Sequence, residues 1–309
     1  MNLDETTLAV RPPWVPAPRS RPTWGFVEGD MIASGRSVLS RLGGGSRYDV
    51  YLAWDDARLA VMVAKLLRPD QAEEPGALRE LRCEAEALGA LAHPVLVRGF
   101  DAVLDGRHPH LLIEFLEGPT LRGLMDQSDV LALEQLLPLA MHTAAALHYM
   151  AGAGWVHLDV KPSNIVMGAP PRLIDLSEAR TVARAGRLRR AIGTDAYMAP
   201  EQCLPGRVGE VGPPTDVFGL GATLHHVLAG APPFPRARDA RDSRDPEARW
   251  PQLVAEPAPL PRRIPDRLST LVHRCLAREP AERPPAAEVA ATLEPLVAAL
   301  PRPMGLSRR

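Results

Sequence analysis

The sequence predicts an α+β chain of two unequal lobes, a small β-rich lobe followed by a larger helical one. Three observations carry that prediction. Between Ser37 and Leu67 three strand-like runs follow one another, SVLSRL, YDVYLAW and LAVMVAKLL. From about Leu133 the apolar spacing turns helical and stays so. The 309 residues, 46% of them hydrophobic, suffice for a bilobal body with a sizeable core.

Composition excludes several classes of function. A net charge of −1 argues against a polyelectrolyte partner such as bulk nucleic acid. The three cysteines, Cys83, Cys203 and Cys275, are far apart and lack ligand spacing, as in a reduced cytoplasmic protein without structural zinc. The amino terminus is acidic and soon reaches proline, unlike a signal peptide, and no apolar run approaches the ~18 residues of a membrane span. Nothing in the sequence indicates an oligomeric state.

Residues 1–35 carry Pro12, Pro13, Pro16, Pro18 and Pro22 and read as a flexible arm, partly polyproline II, with Trp14 and Trp24 available to dock on the folded body. Gly43-Gly44-Gly45 separates the first two strands. Glycines let backbone amides approach a phosphate, although a plain hairpin turn accounts for them equally. Lys65 lies near the end of the third strand, where a lysine by itself would be exposed and unremarkable. The next segment, 77–92, repeats Leu81, Ala85, Leu88 and Ala92 at helical spacing, offers Glu80, Glu84 and Glu86, and stops at His93-Pro94. Two more strands follow, near 96–103 and 110–114.

A helix over 134–152 leads into His157-Leu158-Asp159-Val160-Lys161-Pro162-Ser163-Asn164. Within this stretch the Asp159 carboxylate can orient and deprotonate a hydroxyl. The Lys161 ammonium can neutralise a transferring phosphoryl group, and the Asn164 amide oxygen can hold magnesium. A polar loop with Pro162 and Asn164 as turn formers fits the same residues. Apolar residues run into Asp175, as in a strand that ends in a metal ligand or a turn. Against 34 arginines the chain keeps two lysines, Lys65 and Lys161, and both fall inside these phosphate-handling candidates. Thr215-Asp216 is expected to cap a helix over 216–230. Segment 231–263, rich in proline, arginine and aspartate, reads as a solvated irregular insertion. Helices near 266–277 and 285–298 close the domain, and 299–309 is a basic tail.

Taken in order, these motifs resemble eukaryotic-like bacterial serine/threonine protein kinases over residues 36–298. HLDVKPSN resembles the family's HRDxKPxN, with Leu158 in place of arginine. Gly43, Gly45 and Val50 match GxGxxGxV, with Tyr48 at the third glycine. Val63-Ala64-Lys65 resembles VAIK, and Asp175-Leu176-Ser177 resembles DFG. Gly193-Thr194-Asp195-Ala196-Tyr197-Met198-Ala199-Pro200-Glu201 matches GTxxYMAPE most closely.

The resemblance implies a protein-kinase-like fold with an N-lobe at 36–114 and a C-lobe at 119–298. It also implies transfer of the ATP γ-phosphoryl group to serine or threonine of protein substrates, its own included, with Mg2+ or alternatively Mn2+. Asp159 would orient the hydroxyl and Lys161 stabilise charge. Lys65, positioned by Glu84, would hold the α/β-phosphates, and Asn164 and Asp175 the metal. Leu42, Gly43, Gly45, Val50, Ala64 and Val166 would surround the nucleotide. The backbone at Glu114 and Leu116 would bind adenine, with Ile113 as gatekeeper. Thr194, Glu201, Asp216 and Arg283 would build the substrate platform, Glu201 pairing with Arg283. The family's arginine at position 158 pairs with a phosphorylated activation loop. Leucine cannot, and the only hydroxyls between Asp175 and Gly193 are Ser177 and Thr181, so activity independent of loop phosphorylation is expected. Tyr48, Leu158 and Ser177 also fit a nucleotide- or partner-binding pseudokinase. A small-molecule phosphotransferase shares the nucleotide motifs but not the Gly193–Glu201 segment.

Overall fold

Strand alternation builds one six-stranded antiparallel sheet from β1 (Met31–Ala33), β2 (Arg36–Gly44), β3 (Tyr48–Asp55), β4 (Ala60–Leu67), β5 (Gly99–Val103) and β6 (His110–Glu114), in the order β1-β2-β3-β4-β6-β5. This computed structural model describes residues 21–127, 131–237, 240 and 242–300. Pro12, Pro13, Trp14, Pro16 and Pro18 of the expected arm, and residues 301–309 of the expected tail, lie outside them.

Because successive side chains point to opposite faces, the sheet has two covers. Val38, Tyr51, Ala53, Met62, Ala64, Leu66 and Leu112 form one buried cluster, roofed by Trp24 and Phe26. Tyr48, Leu67 and Leu111 face the other way, onto helix α1 (Pro75–Ala90), which contributes Ala77, Leu81 and Leu88. The roof moves the lobe boundary. The Trp24 indole N–H donates to Leu67 O at 2.7 Å, Phe26 packs edge-on to Tyr51, and β1 pairs with β2. The chain is therefore docked from about Trp24 onward, and the expected boundary at 35 falls inside the sheet. Proline and arginine around a three-residue strand hide it from a reading of composition.

The second lobe is organised on α3 (Leu133–Gly152), whose Leu136, Leu139, Ala140, Ala144, Leu147 and Met150 are buried against α6 (Pro213–Ala229) and α9 (Ala286–Ala298). Helix α6 is buried on nearly every side, as a central core helix must be. Helix α8 (Asp266–Cys275) packs on α6, while α2 (Leu121–Gln127) lies against the 162–166 stretch. No helix among the described residues is long and apolar enough to cross a membrane.

Two expectations change here. Helix α6 starts at Pro213, not Asp216, because Pro213 and Pro214 suit the first turn, where no N–H partner is needed. Thr215 Oγ1 accepts from Gly212 N, and the Asp216 carboxylate is free for another task. Nor is the insertion at 231–263 merely solvated. The Trp250 indole N–H donates to Asp195 Oδ1 (3.0 Å), and Gln252 Nε2 donates to the Asp195 and Met198 carbonyls (2.9 Å each). This stretch, with the single turn α7 (Pro246–Arg249), underpins the Gly193–Glu201 segment.

Candidate active site

The loop after β7 (Trp155–Val156) is held in an uncommon shape. Leu158 has φ +67°, a left-handed backbone that a bulky residue rarely adopts. Buried Asp216 accepts the N–H groups of His157 and Leu158, both at 2.7 Å. Burial raises the Asp216 carboxyl pKa, and the two N–H donors and His157 oppose that rise. Asp216 thus holds the backbone of this turn, which delivers Asp159 at its end.

Asp159 is the hub of a polar cluster. Its Oδ2 accepts from Lys161 Nζ at 2.6 Å and from Asn164 Nδ2 at 3.2 Å, and its Oδ1 accepts from Thr194 Oγ1 at 2.8 Å. Lys161 Nζ also donates to Thr194 Oγ1 at 2.7 Å. Gly193 (φ +115°) makes this approach feasible, since a Cβ there would come within 2.9 Å of Leu158 O. Four expected residues from two distant stretches therefore meet at one carboxylate.

Opposite lies a second charged group. Lys65 Nζ contacts both Glu84 carboxylate oxygens (2.8 and 2.9 Å) and Asp175 Oδ1 (2.8 Å). Burial disfavours the Lys65 ammonium, but Asp175 and Glu84 outweigh it and hold its pKa above the ordinary lysine value. Burial likewise opposes the Asp175 carboxylate, yet Lys65 pulls its pKa well below the usual range. Glu84 goes the other way: burial and the Asp175 charge raise its pKa despite Lys65. Asp175, at φ +65°, also accepts from Ser177 N, and Leu176 beneath it is fully buried.

A largely apolar cleft of ≈ 750 Å3 is lined by Lys65, Glu84 and Asp175 of this group and reaches the Asp159 cluster at Asn164. Among the expected residues, Leu42, Gly43, Val50, Lys65, Glu84, Ile113, Glu114, Leu116, Asn164, Val166 and Asp175 line it. Ala64 does not. It is fully buried on the opposite face of β4, in the cluster under Trp24, and Val63 takes the place assigned to it. Alternation requires this, because Val63 shares a face with Lys65 and Ala64 cannot. Gly45 is also off the lining: it closes the β2–β3 turn, with its N–H to Tyr48 O (3.0 Å) and its carbonyl accepting from Arg68 Nε (2.8 Å). Gly44 (φ +152°) lines the cleft in its stead. Thr120 and Ile174 were missed as well. Ile174 precedes Asp175 directly, and no sequence signal marked Thr120.

Tyr48, at the position of the family's third glycine, turns inward. Its ring lies 4.5 Å from Lys65 Nζ, and its buried hydroxyl has no hydrogen-bond partner among the described residues. Burial, followed by the Glu84 charge, raises its pKa. The ring is the useful part and the hydroxyl is a cost. Tyr48→Phe is therefore expected to stabilise the protein by about 1 kcal/mol, read as a rise in melting temperature; an unchanged or lower one would mean the hydroxyl is satisfied in solution.

The platform residues also assemble. Glu201 and Arg283 form a two-point pair (2.6 and 2.9 Å) with both side chains fully buried. Glu201 follows the GTDAYMA run in α5 (Pro200–Cys203), so the pair ties that segment to the turn that precedes α9.

Residues 36–293, most of the chain, match the protein kinase domain. The chain belongs to the protein kinase family. Among curated relatives, serine/threonine-protein kinase PkaB of Streptomyces coelicolor is 34% identical over 281 residues, 86% of this chain and 64% of the relative. PknB of Mycolicibacterium smegmatis is 33% identical over 256 residues, 78% and 39% of the two chains. PknB of Mycobacterium leprae is 32% identical over 202 residues, 62% and 32%. The chain spans about a third of the length of the PknB relatives.

Proposed function

We propose that the chain is a serine/threonine protein kinase that transfers the γ-phosphoryl group of ATP to protein hydroxyls, its own among them. The cluster of Asp159, Lys161, Asn164 and Thr194, joined to Lys65, Glu84 and Asp175 by a largely apolar cleft, carries this reading. Val50, Val63 and Val166 would enclose adenine, with the backbone at Glu114 and Leu116 as its polar contacts. Lys65, fixed by Glu84, would bind the α/β-phosphates. Asp159 would accept the proton of the substrate hydroxyl as its oxygen bonds to the γ-phosphorus and ADP leaves; the Thr194 hydroxyl already donates to Asp159 Oδ1 in the same sense. Lys161 would balance the charge that collects on the transferred group.

The donors suit a hard divalent cation. Asn164 commits its Nδ2 to Asp159, which leaves its amide oxygen for a metal, and Asp175 adds a carboxylate. Two protein donors would leave the other positions of such an ion to phosphate oxygens and water. Mg2+ fits best, Mn2+ fits the same donors, and either would neutralise the phosphate charge when bound. The free cysteines and the ATP requirement are consistent with a cytoplasmic site of action.

The activation segment has its own anchor. Leu158 is buried with Val156, Ala185 and Val211, and Val182, Leu188 and Ile192 pack against them. Where the family's arginine would await a phosphate, this chain holds the segment by apolar contact, which supports activity without loop phosphorylation. Phosphatase-treated enzyme and Thr181→Ala are each expected to keep transfer rates within about 3-fold of wild type, since an exposed cap such as Thr181 Oγ1 to Arg184 N is worth only about 1 kcal/mol. Loss of turnover in both would overturn this point alone.

The function itself is tested by incubating the purified protein with Mg-ATP and following phosphoserine and phosphothreonine on the protein and on added substrates. Transfer supports the reading. No transfer, with Mg-ATP still raising the melting temperature, would indicate a pseudokinase; no nucleotide binding at all would leave only the fold.

A further inference from the structure

Beside the Asp159 cluster lies a second cavity, ≈ 580 Å3, that the nucleotide reading does not use. Its walls come from the tip of the β2–β3 turn, helix α1 and the activation segment as far as Gly193, the neighbour of Thr194. Five arginines and two glutamates line it. Both glutamates are already engaged, Glu80 with Arg47 and Glu178 with Arg180 (3.7 Å). Arg187, Arg189 and Arg190 have no ion-pair partner among the described residues, and all three are exposed.

A solvated charged loop is the plain alternative, and two observations count against it. The three arginines line a concave wall, where opposing low-dielectric surfaces concentrate the field of like charges. They are also held in place: Leu188 and Ile192, interleaved with them, pack inward on the Leu158 cluster. An uncompensated positive wall on an anchored backbone, next to the residue that would activate the hydroxyl, is a recognition surface for anionic side chains.

Resting on the kinase reading, we propose that this cavity is a substrate subsite and that the enzyme selects serine or threonine flanked by acidic residues. Aspartate, glutamate or a phosphorylated side chain would share the chemistry, and Arg187, Arg189 and Arg190 would be the residues that determine specificity. A basic protein would be a poor substrate.

The test compares serine peptides of one length, flanked by aspartate and glutamate, by phosphoserine, by alanine or by lysine, in both binding and turnover. Binding is read by fluorescence anisotropy on Asp159→Asn, which does not need transfer. Turnover is read as kcat/KM on wild type and on the triple variant Arg187→Ser/Arg189→Ser/Arg190→Ser. The acidic peptide is expected to exceed the alanine peptide by about 10- to 100-fold. That ratio should shrink as ionic strength rises and approach one in the triple variant. Because the ratio is taken within each variant, a general loss of activity cannot imitate the effect, and the phosphoserine arm shows whether carboxylate or phosphate is preferred. Equal binding and equal kcat/KM for all peptides would overturn the subsite and leave the kinase standing. Acid-selective binding with no transfer to any peptide would sink the kinase reading and keep the subsite.

Discussion

Asp159→Asn is expected to lower the turnover of phosphoryl transfer by about 10²- to 10⁴-fold while leaving the affinity for Mg-ATP unchanged. The substitution is nearly isosteric. An amide oxygen can still accept from Thr194 Oγ1, so the loop keeps much of its geometry. What disappears is a basic oxygen able to take a proton, together with the ion pair to Lys161 at 2.6 Å. The nucleotide should not notice, because the cleft is lined by other residues and Lys65 takes its partners from Glu84 and Asp175. Single-turnover kinetics with saturating Mg-ATP, alongside a nucleotide titration, would separate the two effects. A variant that loses nucleotide affinity as well as turnover would show Asp159 to be a structural brace. One that keeps its turnover would remove it from the proton-transfer role altogether.

The ion pairs of this site were more legible in the sequence than its shape. Lys65 and Arg283 stand at motif positions where few other residues could serve, and each meets the partner expected for it, Glu84 and Glu201. Residues whose role depends on which way a strand faces were harder to place. Ala64 and Val63 are both small and apolar, and it is their spacing from Lys65 along the pleat, rather than residue type, that puts Val63 on the cleft and turns Ala64 away. Boundaries set by tertiary contact were also hidden. That Trp24 could dock was readable, but not that it would donate to Leu67 and bring β1 into the sheet, nor that Trp250 and Gln252 in an arginine-rich insertion would hold Asp195. The Leu158 cluster belongs to the same class. The missing arginine was visible in the sequence, but the apolar anchor that replaces it gathers residues from 156 to 211 and needed the fold.

Arg283→Met is expected to cost about 3–5 kcal/mol of stability, a fall in melting temperature of roughly 5–10 °C. Arg283 donates to both Glu201 oxygens and to the carbonyls of Pro214, Ala277 and Arg278, and its guanidinium lies 4.9 Å from the centre of the Phe218 ring. Methionine fills similar volume but strands the Glu201 carboxylate in the core with Thr215 Oγ1 as its remaining donor. Lysine would not rescue it fully, since a point charge cannot make the parallel two-point contact. The loss is a penalty for an abandoned charge, so removing the partner too should return part of it. Glu201→Met/Arg283→Met is therefore expected to melt above Arg283→Met. Even then the double variant should transfer phosphate to protein poorly, because this pair fixes the end of the Gly193–Glu201 segment whose Thr194 reaches Asp159. A double variant as unstable as the worse single one would place the cost in the lost carbonyl contacts instead. One with wild-type transfer would show that the segment is held by Trp250 and Gln252 alone.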